Sequence, residues 1–240
     1  MEWNITHIDE TDSTNRWLRD AEELHKRDGS FCVVADYQTA GRGCGTNSWE
    51  SERGQNLTFS LLIHPEEVPA NQQFHITEAV SVALCQTLEK YLPYPVSIKW
   101  PNDIYVNGRK ICGILTENRL QGTCIKDSII GIGLNVNQME FVSDAPNPVS
   151  MRQLTGESID REALLHAFLK RLDRVFSAET LCLEYRNRLF QRMIQCEYSD
   201  KDGHFTATIV DVEADGHLIM RDSEGRERRY AFKEVQFVLR

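Results

Sequence analysis

Asn107-Gly108, set between two apolar β-type runs, constrains this chain more than any other dipeptide. A two-residue type I′ turn needs positive φ at both central positions, and Asn-Gly meets that need best. Ile104-Tyr-Val106 enters the turn and Ile111-Cys-Gly-Ile-Leu115 leaves it, so a tight antiparallel hairpin is expected. Lys110 then sits on a strand just past the turn, with its backbone firmly held. Upstream, Lys99 precedes Trp100-Pro101, and proline has no N–H to give a sheet. Residues 100–103 are therefore a bend at a strand end, a common place for binding residues in α/β proteins. Either lysine alone reads as a solvated surface charge. Lys110 beside Gly113, one hairpin from a Trp-Pro-Asn-Asp bend, points instead to a pocket for an anion. An ammonium is a compact charge that meets a carboxylate or phosphate oxygen.

The rest of the chain alternates helices and strands. A short strand is expected over 5–8. Asp12-Ser13-Thr14-Asn15 offers helix caps, and Trp17, Leu18, Ala21 and Leu24 recur at helical spacing as far as Gly29. Capping should use the hydroxyl of Ser13 or Thr14. Residues 31–35 form a buried strand. It runs into a loop where Gly41, Gly43 and Gly45 can bring backbone N–H groups against a ligand. Residues 56–63 are the next strand, with His64 an ordinary strand-end histidine. Residues 72–91 form a helix with Phe74, Ile76, Val80, Ala83, Leu84 and Leu88 along mainly one apolar stripe.

After a strand over 96–98 and the central hairpin, Gln121-Gly122 marks another hairpin turn. Residues 128–137 contain a buried strand whose Gly131 and Gly133 admit a close neighbour, either a packed strand or a ligand. The Asn135 amide can pair with a donor and an acceptor on one base edge. Residues 138–149 are an exposed loop containing Pro146 and Pro148, and 150–154 a short helix. Asp160 caps an amphipathic helix, and another follows over 179–191. From about Cys196 the chain becomes short strands, over 205–210, 217–220, 228–232 and 235–239. Asp202-Gly203, Asp215-Gly216 and Glu224-Gly225 separate them, which predicts a small β-barrel.

Lys99-Trp-Pro-Asn-Asp103, Arg109-Lys110 and Gly113-Ile-Leu-Thr-Glu117 together resemble the central signature of the biotin protein ligases. Ser13-Thr14-Asn15, Gln38 with Gly41-Arg42-Gly43 and Trp49, and Gly131-Ile-Gly133-Leu-Asn135 follow the family's order, so the resemblance covers nearly the whole chain. It implies an α+β fold: a mixed β-sheet flanked by helices, class II synthetase-like, over 1–190, and an SH3-like barrel over 191–240. It also implies an ATP-dependent enzyme that makes biotinyl-5′-adenylate and passes biotin to a lysine of a carboxyl carrier domain.

The residues that the resemblance assigns to biotin are Ser13, Thr14, Asn15, Gln38, Gly41, Arg42, Lys110 and Gly113. Those assigned to ATP and the adenylate are Gly43, Trp49, Lys99, Asn102, Asp103, Gly133 and Asn135. Lys110 and Arg42 would meet the reacting oxygens, and Mg2+ would be held mainly by the ATP phosphates. Asp103 could equally form a structural salt bridge to the barrel, and Lys99 could be merely solvated. The usual loop, G-R-G-R-x-G-R-x-W, is altered here: Cys44 and Asn47 stand at two of its arginine positions. Arg53 is one candidate to replace them.

Two alternatives remain. A lipoate or octanoate ligase shares the fold, but the polar Ser13, Thr14 and Gln38 suit a ureido ring better. A non-catalytic biotin- or DNA-binding regulator is the other, although Ser13 comes too early to leave room for an N-terminal winged helix. A length of 240 residues fits one sizeable domain with a small appendage. A net charge of −9 opposes non-specific nucleic-acid binding. The seven cysteines form no C-x-x-C pair, which favours reduced thiols in a cytoplasm. No signal peptide or membrane span is expected, and a homodimer is left open.

Overall fold

The structure is a computed structural model that describes residues 2–21, 23–26, 28–45, 47–65, 67–142 and 147–239. Thr46 and residues 143–146, including Pro146 of the expected exposed loop, lie outside the described residues. β1 (Trp3–Thr11) runs parallel to β2 (Ser30–Gln38), and between them lies the short helix α1 (Thr14–Asp20). β3 (Leu57–Ile63) is antiparallel to β2. The helix α2 (Phe74–Leu88) leads to β4 (Val96–Lys99), β5 (Asp103–Val106), β6 (Arg109–Gln121) and β7 (Cys124–Leu134). These strands form one seven-stranded mixed sheet in the order β1-β2-β3-β7-β6-β5-β4. The central turn forms as expected, with φ 51° at Asn107 and 70° at Gly108. Gly122 also takes positive φ, 62°, in the β6–β7 hairpin.

Side-chain alternation gives the sheet two different faces. In β3, Leu57, Phe59, Leu61 and Ile63 enter the large core beneath α2 and α4 (Arg161–Val175). Leu62 joins Leu18, Phe31, Val33 and Ile129 in a smaller cluster on the opposite side, under α1. Thr58 and Ser60, on the same period as Leu62, give that second face its polar part.

The helices differ from expectation in instructive ways. α1 stops at Asp20, because Ala21 leaves helical geometry (ψ 62°), and a 3-10 turn follows over Leu24–Lys26. α2 is buried on nearly every side, including Glu78, Ser81 and Thr87, and not along one stripe. It is covered by the sheet, by α4 and by α5 (Leu181–Asn187). The short helix α3 (Met151–Thr155) carries a complete capping box from Ser150 and Gln153. Asp160 caps α4 by accepting from Glu162 N and Ala163 N. The helix expected over 179–191 ends at Asn187, because the chain beyond it pairs along β4. There Ile98 N donates to Arg188 O (2.7 Å) and Phe190 N to Ile98 O (2.8 Å).

The C-terminal part is an antiparallel sheet of β8 (Gln195–Asp200), β9 (Gly203–Val212), β10 (Leu218–Asp222), β11 (Glu227–Tyr230) and β12 (Val235–Phe237). Its order is β11-β10-β9-β8-β12, so β11 and β12 are edges and the hydrogen bonds do not close a ring. β8 is a strand the sequence pattern did not single out. Several contacts join the two sheets: Trp100 Nε1 donates to Gly216 O at 3.0 Å, and Gly216 lies against the Phe74 ring.

Asp222 is the polar centre of this second sheet. It accepts from Glu224 N, Arg226 N and Nε, and Arg228 Nε, all at 3.0 Å. Burial acts to raise its pKa, but Arg228, Arg226 and the backbone amides outweigh burial and hold it at about 2. A folded pKa below the unfolded one stabilises above the unfolded value, and that stabilisation is lost as pH falls through the folded value. The thermal midpoint should therefore drop between about pH 4 and pH 2, and Asp222→Asn should flatten the drop. Parallel midpoint curves for the two proteins would count against this role.

Candidate active site

The polar face of the first sheet meets the N-terminus of α1, where Ser13, Thr14, Asn15 and Gln38 of the sequence-predicted residues come together. Ser13 takes the N-cap position (φ −161°, ψ 131°), yet its side chain makes no cap hydrogen bond. The capping expected of Ser13 is therefore not made. Thr14 is committed elsewhere: its hydroxyl lies 3.1 Å from Gln38 Oε1 and 2.7 Å from Ser60 Oγ. Gln38 Oε1 also accepts from Thr14 N at 2.8 Å. Asn15 Oδ1 lies 2.6 Å from Ser60 Oγ, and its Nδ2 donates to Glu117 Oε2 at 2.8 Å. Ser13, Thr14, Asn15 and Ser60 are all buried. Gly131 forms the floor, since a Cβ there would stand 2.3 Å from Asn15 Oδ1. Sequence reasoning missed Ser60 and gave Glu117 no role. The period-two pair Thr58 and Ser60, in an otherwise apolar strand, was the available signal.

Lys110 comes to the same face from the central hairpin. Its backbone is fixed on both sides: N donates to Asn147 O (3.0 Å) and O accepts from Val149 N (2.9 Å). Its Nζ lies 2.7 Å from Asp103 Oδ1, each side chain being about a quarter exposed. Asp103 thus pairs with Lys110, which replaces the alternative of a salt bridge to the C-terminal sheet. Asn102 Nδ2 donates to Ile114 O at 2.7 Å and pins the bend to β6. Lys99 is not simply solvated, for its Nζ stands 4.7 Å from the Phe237 ring centre and 5.7 Å from that of Tyr105. Burial pushes its pKa below the ordinary lysine range, opposed by Asp103 and assisted by Lys110.

Trp49 completes the face. Its indole lies on bare backbone: a Cβ at Gly133 would stand 2.2 Å from Cε2, and one at Gly113 3.0 Å from Cζ3. Lys110 Nζ is 5.8 Å from the same ring's centre. Trp49 Nε1 and Asn135 Oδ1 are buried with no hydrogen-bond partner among the described residues. The Asn135 amide nitrogen is used, donating to Val149 O at 3.2 Å. A buried unpaired polar atom costs roughly 1–3 kcal/mol, so a donor and an acceptor left open beside a glycine floor fit a heterocycle with polar edges.

The glycine loop folds back on itself. Trp49 N donates to Gly41 O (3.0 Å) and Gly43 N to Asn47 O (2.8 Å). Arg42 is exposed, with no ion-pair partner among the described residues. Arg53 does not replace the missing loop arginines. It pairs with Glu10 and lies over the Tyr37 ring, 4.8 Å from its centre.

Similarity to known proteins points the same way. The model of the biotin/lipoate A/B protein ligase family matches residues 8–135. The bifunctional ligase/repressor BirA of Bacillus subtilis is 29% identical, over 96% of this chain and 73% of its own length. The biotin--[acetyl-CoA-carboxylase] ligase of Paracoccus denitrificans is 33% identical over 65% of each chain. Among solved structures, the Aquifex aeolicus biotin protein ligase in complex with biotin and ATP superposes with a TM-score of 0.77 and 26% identity, over 98% of this chain and 99% of that one. A family match over more than half of the chain, falling on the face that carries the polar hub, the Lys110–Asp103 pair and the glycine floor, places this chain in the biotin/lipoate A/B protein ligase family.

Proposed function

We propose that the chain is an ATP-dependent biotin ligase, activating biotin to biotinyl-5′-AMP and transferring it to a lysine of a biotin carboxyl carrier domain. One observation carries this reading: the buried Thr14–Asn15–Ser60–Gln38 hub and the Lys110–Asp103 pair share a sheet face with the Trp49-covered glycines. The hub contains hydroxyl and amide groups that both donate and accept, as a ureido ring requires. An apolar lipoyl or octanoyl chain would leave that hub unused, which disfavours the alternative within the same family.

The chemistry joins two acids that repel each other, so the site must supply positive charge and alignment. Lys110, held next to the hub, meets the carboxylate and an α-phosphate oxygen, and Arg42 on the loop adds a second cation. Biotin carboxylate oxygen attacks the α-phosphorus and pyrophosphate leaves. The carrier lysine then attacks the mixed anhydride and AMP leaves. Trp49, Gly133 and Asn135 receive adenine, Gly43 the phosphate, and Asn102 and Lys99 hold the bend beside it. No cysteine is needed as nucleophile, and Cys32, Cys85 and Cys112 are buried free thiols. Mg2+ would neutralise the phosphates, with Asp103, beside Lys110, a carboxylate on this face that could help hold it. The three-donor group Glu213, Asp215 and His217 lies in the turn between β9 and β10, where Arg229 pairs with both acids.

Within this reading, residues 1–190 are the catalytic part and residues 191–240 a curled, SH3-like appendage. The chain works in a cytoplasm without a nucleic-acid partner. The decisive experiment incubates it with biotin, ATP, Mg2+ and a carrier domain. A carrier mass increase matching one biotinyl group is expected. Modification by lipoate and not by biotin would overturn the reading.

A further inference from the structure

The loop carries Cys44 and Asn47 at two positions where the family resemblance implies arginines, and Arg53 is engaged elsewhere. A cation nevertheless reaches the loop from the far end of the chain. The turn between β11 and β12 is closed by Glu234 N donating to Ala231 O (3.1 Å) and Ala231 N donating to Glu234 Oε2 (2.7 Å). It projects Lys233 so far that its Nζ would stand 2.2 Å from a Cβ placed on Gly45. Gly45 itself takes positive φ, 72°, and its bare Cα lets the ammonium lie against the loop. Lys233 has no carboxylate partner among the described residues and is exposed.

Lys233 also holds a backbone that lysine rarely adopts, with φ at 71°. A non-glycine residue in the left-handed region costs stability, and such residues concentrate at functional sites. The neighbouring Cys44 shows which charges converge here. Burial pushes its thiol pKa up, and the charges acting on it are Lys233, then Asp103, then Lys110. Lys233 therefore shares a neighbourhood with the pair at the reacting centre.

Resting on the ligase reading, we propose that Lys233 serves as the missing loop cation, its ammonium holding a phosphate oxygen of the nucleotide from the C-terminal sheet. The loop and the second sheet thereby contribute together to one anion site, with the Lys233 ammonium lying against Gly45.

The test uses the full chain and four variants: Lys233→Gly, Lys233→Ala, Lys233→Arg, and Lys233→Gly combined with Cys44→Arg. The readouts are the KM for ATP, the dissociation rate of the labelled adenylate in a chase, and the thermal midpoint. Glycine takes φ of 71° freely, so Lys233→Gly should keep or raise the midpoint while adenylate dissociation speeds up at least tenfold. Lys233→Ala should lose retention similarly. Lys233→Arg should stay within about threefold of the unaltered chain, and Cys44→Arg should restore at least threefold of what Lys233→Gly loses.

Retention within twofold of the unaltered chain in Lys233→Gly overturns the proposal. So does a loss that neither arginine substitution avoids, because that marks a purely structural role. If the unaltered chain forms no adenylate from biotin and ATP, the ligase reading itself falls and takes this role with it. Adenylate formed but retained equally by Lys233→Gly removes the lysine's role alone.

Discussion

Lys110→Ala is expected to cut biotin-dependent pyrophosphate release from ATP by about two to three orders of magnitude, as losing a preorganised charge stabiliser does in typical enzymes. The variant should remain folded. Lys110 is anchored by its backbone, through Asn147 O, Val149 N and the β5–β6 ladder, and none of these bonds involves the side chain. The ion pair it gives up with Asp103 is about a quarter exposed, and partly exposed pairs of this kind contribute at most about 1 kcal/mol. The thermal midpoint should move by only a few degrees. Lys110→Arg should recover part of the activity, since it restores charge but not the compact ammonium. Release within tenfold of the unaltered protein, at unchanged midpoint, would remove Lys110 from the reacting centre.

Gly133→Ala and Gly131→Ala should separate the two ends of the site. Both glycines lie inside β7 and pair on each side with β3 and β6. Alanine suits a strand backbone at least as well as glycine, so the cost of either change falls on the side chain that the methyl displaces. A methyl at 133 would press on the Trp49 indole at 2.2–2.7 Å, whereas one at 131 would press on the Asn15 amide at 2.3–3.2 Å. Gly133→Ala should therefore raise the KM for ATP at least tenfold, a change of about 1.4 kcal/mol, with little effect on biotin. Gly131→Ala should reverse that pattern, because it displaces the amide that joins Ser60 to Glu117. Equal effects of each variant on both substrates would mean that the two glycines do not divide adenine from biotin.

The parts of this protein that were legible in its sequence are those fixed by local chemistry. Asn107-Gly108 dictated the hairpin that places Lys110, because few dipeptides tolerate two positive φ values. Asp160 announced its helix through capping, whereas the Ser150 capping box emerged only in the structure. Parts set by distant neighbours were not legible. β8 carries Gln, Cys, Glu, Ser and Asp, and its only fully buried side chain is Tyr198, so no alternation stands out. α2 looked one-sided because burial of Glu78, Ser81 and Thr87 depends on what packs around it. Ser13 matched a cap by position, yet its hydroxyl does not cap. The partners of Asp103, and the approach of Lys233 to Gly45, depend on chain crossings that no local pattern encodes.

The hydrophobic cluster under α2 does not stop at the end of the first sheet. Tyr198, Ile209, Leu218, Met220 and Val235 belong to it together with Phe59, Ile98 and Ile132. Trp100 and Phe74 reach Gly216 across the seam. Neither sheet can melt without exposing surface of the other, so calorimetry should record one cooperative heat-absorption peak. A chain cut after residue 190 would accordingly lose a wall of its own interior, and with it the folded state, before any question of turnover arose.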